Sequence, residues 1–295
     1  MPFRSYLFVF FLLLSTSLVA QVNQKEAYYA SVMESVYAFE FGRADSMLRD
    51  SPSNYDINEL DILKSNLNWW LIISGEIKNK KITQSYHRST SDVIKRLEIK
   101  QAELNNDELA MMLHSYFLRS RFHLLKGSYL NALKDLQNCL NYTKQTLNKS
   151  DESESLKLGA GLYNYLIAKT YDENLLMRPA LMFYPEGNIA LGLEQIKACE
   201  NSKNLLIKTE SRYFLMKIYN EWENDSKMSL RYCEQLCADY PSNLIFKMYR
   251  IELLKKLENQ QLETQLAKYK AQLQNETYSA NTRSHFVQVI EEKFN

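Results

Sequence analysis

A metal or nucleophilic centre in this chain would have to be built from four cysteines and four histidines. Cys233 and Cys237, in "CEQLC", lie one helical turn apart, a spacing at which two thiols can share a metal. No histidine stands near them in sequence to complete a tetrahedral set. A disulfide inside one helix would strain its own geometry. His114 and His123 are nine residues apart, and at ~100° per residue they leave a helix from nearly opposite faces, so they cannot jointly ligate a metal. There is no glycine-rich phosphate loop, no serine nucleophile elbow and no His/Glu zinc motif. Glycoside hydrolysis needs two carboxylates facing one cleft. Here the acids from Glu252 onward alternate with lysines, as on a solvated helix face, and "DESES" (Asp151 to Ser155) reads as a loop and helix start. The expectation is no catalytic residue, no cofactor and no metal, which leaves recognition as the chemistry to look for.

Recognition needs positioned apolar surface, and "LLMRPALMFYPEGN", Leu175 to Asn188, stands out for it. Two prolines and a run of large apolar residues interrupt a chain that otherwise reads as helix. With 7 Gly and 5 Pro in 295 residues, the chain falls far below the usual ~7% and ~5%. An all-β protein of this length could not make its turns with so few. The 45% hydrophobic fraction and the abundance of Tyr, Met, Leu and Lys fit helices packed on helices.

The first twenty residues, "MPFRSYLFVFFLLLSTSLVA", have one positive charge at Arg4, an apolar run from Tyr6 to Leu14, then small and polar residues ending in Ala20. They have the shape of a secretory signal peptide, and the apolar run is shorter than the ~20 residues that span a bilayer. The expectation is export to the periplasm or cell envelope, with residues 1–20 removed and 21–295 forming one helical domain. Gln21 would become the amino terminus, with no Cys there to take a lipid. Loss of Arg4 leaves the mature chain neutral, which argues against nucleic acid and against steering to an anionic membrane.

One segment carries internal repetition clearly: "LHSYFLRSRFHLLKGSYLNALKDLQNCLNY", beginning at Leu113. With Leu113 as position one, Tyr116 falls at four, Ser120 at eight, Gly127 at fifteen, Tyr129 at seventeen, Ala132 at twenty, Leu136 at twenty-four and Cys139 at twenty-seven. This resembles the tetratricopeptide repeat (TPR), a helix-turn-helix unit of ~34 residues. Small side chains at eight, twenty and twenty-seven let the two helices of a hairpin approach closely. Weaker copies place Phe41, Ala44 and Leu48, then Trp70 with Ser74, then Gly192, Ile196 and Cys199, and finally Ser229, Cys233 and Pro241 at corresponding positions. Two departures are Arg119 at the apolar seventh position and Lys217 at a small eighth position. Cys139, Cys199 and Cys233 thus read as small buried residues.

The resemblance implies an all-α, right-handed superhelical solenoid of about five antiparallel hairpins, capped by a C-terminal helix from about Thr282 to Phe294. In the unit whose first helix is "LKLGAGLYNYLIAKTY", the second helix starts only at Asn188 or Ile189. Residues 173–188 are therefore an insertion within one hairpin, stiffened by Pro179 and Pro185. Phe183 and Tyr184 in this insertion, together with Trp69, are the candidate partner-binding residues. Trp69 and Trp70 point ~100° apart; Trp70 matches a packing position, which leaves Trp69 free to face the groove or to cover a neighbouring helix. The function the resemblance implies is a non-enzymatic scaffold that binds an unidentified protein partner on its concave face. The alternative is an exported module for a small molecule or glycan, since starch-utilisation binding proteins use similar repeats, although those are longer and lipid-anchored. A toroidal glycosidase is the poorest fit.

If the leader is processed as read, protein purified from its native host begins at Gln21. Amino-terminal sequencing and intact mass check this, and Met1 retained in a cytosolic fraction overturns it.

Overall fold

Helices begin where asparagine and aspartate side chains can satisfy their free amide groups. In the computed structural model, which describes residues 25–100, 104–173, 175 and 178–294, Asp56, Asn79, Asn105, Asn188, Asn204, Asp225 and Asn243 each accept hydrogen bonds from first-turn amides. Asn105 and Glu108 form a reciprocal capping box. The elements so started are α1 (25–37), α2 (Phe41–Arg49), α3 (Ile57–Ile73), α4 (Lys80–Glu98), α5 (Asn106–Leu125), α6 (Tyr129–Thr146) and α7 (Glu154–Glu173). A short turn α8 (Arg178–Leu181) precedes α9 (Ile189–Ala198), α10 (Leu205–Glu221), α11 (Ser226–Asp239), α12 (Leu244–Lys256), α13 (Leu262–Gln272) and α14 (Ala280–Phe294). Among the described residues there is no strand, and no helix is long and apolar enough to cross a membrane. The leader and its cleavage after Ala20 lie outside the described residues.

The protein is all-helical, and helices adjacent in sequence pack as pairs: α3 with α4, α5 with α6, α7 with α9, α10 with α11 and α12 with α13. The first helices of successive pairs also touch, α3 to α5, α5 to α7 and α7 to α10. Small residues set the approach within a pair. A Cβ added at Gly192 on α9 would stand 2.6 Å from the Tyr165 amide nitrogen and 2.8 Å from the Gly161 carbonyl oxygen on α7. Ala132 is buried between α5 and α6, and the Ser120 hydroxyl donates to its carbonyl at 2.9 Å. The Ser229 hydroxyl donates in the same manner across α10 and α11 to Met216 O at 2.8 Å. Arg119, the departure at an apolar position, donates through Nε and a terminal nitrogen to both carboxylate oxygens of Asp135 on α6, at 2.7 and 2.6 Å. A bidentate ion pair therefore takes the place of an apolar contact. Gly127 turns α5 into α6 with φ +70°.

A second set of contacts joins the two ends of the chain. The Asn243 side chain, fully buried, caps α12 and donates to the carbonyl of Tyr37 at 2.9 Å. Trp70 meets Phe246 edge-on at 5.5 Å, and Tyr37 lies 5.2 Å from Tyr240. Glu76, buried just after α3, accepts from Asn79, Asn281 and Ser279. One apolar core runs continuously from Val32 to Ile290.

Replacing Gly192 with Ala forces a methyl into backbone atoms that cannot step aside, and should destabilise by about 1–3 kcal/mol. Urea denaturation followed by circular dichroism measures it; an unchanged midpoint shows that α7 and α9 are not held at this distance.

Candidate functional site

The insertion leaves α7 at Glu173 and rejoins the helical framework at Asn188, the N-cap of α9. Arg178 ties its start to the end of α7, donating from Nε to Tyr171 O at 2.7 Å and lying 4.9 Å over the Tyr171 ring. Leu181 is buried with Tyr163 and Ile167 of α7, and Leu140 of α6, Leu147 and Tyr184 pack against that cluster. Tyr163 donates to Pro185 O at 2.9 Å, and Gly187 sits directly against the backbone of α7. Between these anchors Met182 and Phe183 point outward, 78% and 80% exposed. The three candidate residues thus have different surroundings: Phe183 exposed, Tyr184 half-buried in the α7 cluster, and Trp69 buried on α3. The first two are neighbours on one loop; Trp69 lies in the core, where it covers a neighbouring helix and offers a partner no surface.

Beside the insertion, α6 presents Tyr129, Leu130, Leu133 and Leu136 to solvent, Leu130 at 85%. Leu136 lies one turn before Leu140, which packs in the cluster with Leu181, so the exposed row leads toward the loop. Four apolar residues exposed on one helix are more than isolated surface leucines.

Trp69 is buried on α3 and covered by α5, so it does not face an open groove. The Arg121 guanidinium lies 4.3 Å over the Trp69 ring and 5.0 Å from that of Phe117. Phe117 lies 5.9 Å from Phe214 on α10, and Phe214 the same distance from Tyr213. His114, Phe117 and Arg121 recur at i, i+3 and i+7, and Glu210, Tyr213, Phe214 and Lys217 at i, i+3, i+4 and i+7, so each set occupies one helix face. All seven are half-buried. In sequence, a half-buried aromatic face with interspersed charge has the same period as a core face, so its spacing alone does not set it apart.

Burial controls the titration of these faces. Desolvation lowers the His114 imidazole from 6.5 to about 4. It is held at 3.1 Å from the Asn66 amide on α3. Burial also raises the Glu210 carboxyl, against the opposing pull of Arg121 and the Tyr37 hydroxyl. The remaining candidates for chemistry are dispersed. His123 faces Asp135 at 3.6 Å, on another side of α5 from His114. Burial pushes the Cys139 thiol up to about 12. Cys233 donates to Phe246 O at 3.3 Å beneath Cys237, and all four cysteines are free thiols. Among the described residues no three His, Cys, Asp or Glu side chains converge as a metal set. The chain matches no family model and has no significant match among curated proteins or solved structures.

Between pH 6.5 and 4 the unfolded chain binds a proton at residue 114 that the folded chain does not, so stability falls as pH drops through this window. The contribution is at most about 1.4 kcal/mol per pH unit. Denaturation of wild type and His114→Gln at pH 7, 5.5 and 4.5 isolates it: the wild type should lose more stability on acidification. Equal losses refute a buried neutral imidazole.

Proposed function

We propose that the protein is an exported, non-enzymatic interaction scaffold, a TPR-like solenoid on which a protein partner docks. The pairing of consecutive helices, and the contacts of α3, α5, α7 and α10 in succession, support a stacked-hairpin architecture. In this reading the superhelix closes early, its last hairpin returning to the first through Asn243 and Tyr37. The sequence of residues 1–20, read as an export leader, supports assigning the scaffold to the cell envelope.

The observation that carries the interaction role is the pair Met182 and Phe183, exposed on a loop that is fastened on both sides. Fastening fixes where the two side chains stand, so a partner that covers them loses little conformational entropy. Covering a fully exposed phenylalanine contributes roughly 1.5–3 kcal/mol, and the row on α6 extends the apolar surface beyond what the loop alone offers. The partner is a protein with an apolar surface of its own, matching the exposed Met182 and Phe183.

Because Met182 and Phe183 are exposed, replacing both with Ser should shift stability by no more than about 0.5 kcal/mol. The same change should abolish in-cell crosslinking to the envelope protein that wild type captures. Tyr184→Ser should instead destabilise, by about 1 kcal/mol or more, through the α7 cluster. Capture by the double variant equal to wild type removes the loop from the interface.

A further inference from the structure

The large apolar side chains that this protein leaves in water are gathered in one region. Among the described residues, eleven of the fourteen lie between Leu124 and Leu191, a stretch of less than a quarter of the chain. On α6, Tyr129, Leu133, Leu136 and Leu140 recur at i, i+4, i+7 and i+11, which is one stripe of a helix. The last of them packs against Leu181, and Met182 and Phe183 follow directly, so stripe and loop make one face. Leu130 flanks the stripe, and Leu124 and Leu125 stand exposed where α5 turns into it. At these exposures the face leaves on the order of 900 Å² of apolar side chain in water. The largest patch on a typical monomer is ~300–600 Å², and one side of a stable protein interface covers ~800 Å². A face of this size needs continuous cover, because uncovered it drives aggregation. A second copy of the chain is the one partner present in equal amount wherever the chain is.

The charges around the face are sorted by sign. Lys126, Lys134 and Lys144 are exposed on the α6 side, whereas the acid of that helix, Asp135, is turned inward to Arg119. On the other side Asp172, Glu186 and Glu194 are exposed, while Arg178 is held against the end of α7. Among the described residues none of these three lysines and three acids forms an ion pair or a side-chain hydrogen bond. A face that is basic along one half and acidic along the other is complementary to itself. A two-fold axis lays the α6 half of one copy on the loop half of the other, and does so twice. We infer that this face joins two copies of the chain as an isologous dimer, each covering the other's α6 row and Phe183 loop. The inference names the partner of the interaction proposed above and rests on that reading of the Phe183 surface.

Sedimentation equilibrium of the purified protein across the micromolar range should give twice the mass of the chain. Leu130→Asp combined with Phe183→Asp should weaken association about a hundredfold or more, since each substitution enters a two-fold interface twice, with the helical circular dichroism unchanged. The decisive variants exchange charge. One carries Lys126→Glu, Lys134→Glu and Lys144→Glu; the other carries Asp172→Lys, Glu186→Lys and Glu194→Lys. Each alone should be monomeric, because like charges then face each other, and an equimolar mixture of the two should recover a dimer, because every half again meets its opposite. Should the double Asp variant fail to fold, the charge-exchanged variants, altered only at exposed positions, decide alone. A wild type that stays monomeric overturns the inference, and so does a dimer indifferent to all of these substitutions. A monomer that floats with anionic phospholipid vesicles overturns it and gives the face to a lipid surface. A monomer that crosslinks through Phe183 to a different envelope protein also overturns it, while leaving the interaction role of the loop intact.

Discussion

The architecture turns on the side chain of Asn243. Its oxygen accepts from the amides of Ile245 and Phe246 and so starts α12, while its nitrogen donates to the last carbonyl of α1. One amide therefore satisfies both the amino end of a late helix and the carboxyl end of the first, at a point with no water to take over either duty. Around this joint Tyr37, Trp70, Tyr240 and Phe246 interlock through their rings. A carboxylate at 243 would lose the donating half of the connection and an alkyl group both halves, whereas the amide both donates and accepts.

That joint explains why the inward faces differ from an ordinary hairpin stack. With the ends brought together, α3, α5, α10 and α12 turn their half-buried faces toward a shared interior, and the residues there are aromatic and charged. The Tyr213 and Tyr249 hydroxyls stand 3.5 Å apart across α10 and α12, and Lys217 lies over the Tyr249 ring at 4.9 Å. The pairs themselves are held by small residues and hydroxyl-to-carbonyl bonds, as at Gly192, Ser120 and Ser229. Tight pairing thus leaves the bulky polar aromatics for the interior.

Much of this was legible from residue order, and what was legible was local. The all-helical class followed from scarce Gly and Pro; the start of α9 at Ile189 followed from Asn188 and the prolines before it; the small residues marked where pairs would touch. Composition offered nothing about Arg121 and Trp69, which stand 52 positions apart and meet only through helix packing. Trp69 read from sequence as facing a groove or covering a helix; it is buried, with Arg121 of α5 over its ring. The loop divided similarly. Its apolar content was plain, but which residue would anchor and which would stay exposed depended on the α6 and α7 cluster that takes up Leu181 and not Phe183. The closure of the ends had no sequence signature at all, since a single buried asparagine looks like any other helix cap.

Glu76 shows what closure means for a chain made from one end to the other. Its carboxylate is buried, and two of its three partners, Ser279 and Asn281, come more than two hundred residues later. A stack whose units touch only their neighbours can add structure in the order it is synthesised or threaded through a membrane. Here the early hairpin cannot acquire its native surroundings until α14 has arrived, so the high sequence separation of this contact ties completion of the first part of the fold to the last. Truncation near the carboxyl end would therefore strip partners from a carboxylate buried beside the first hairpins, a coupling that a linear array lacks.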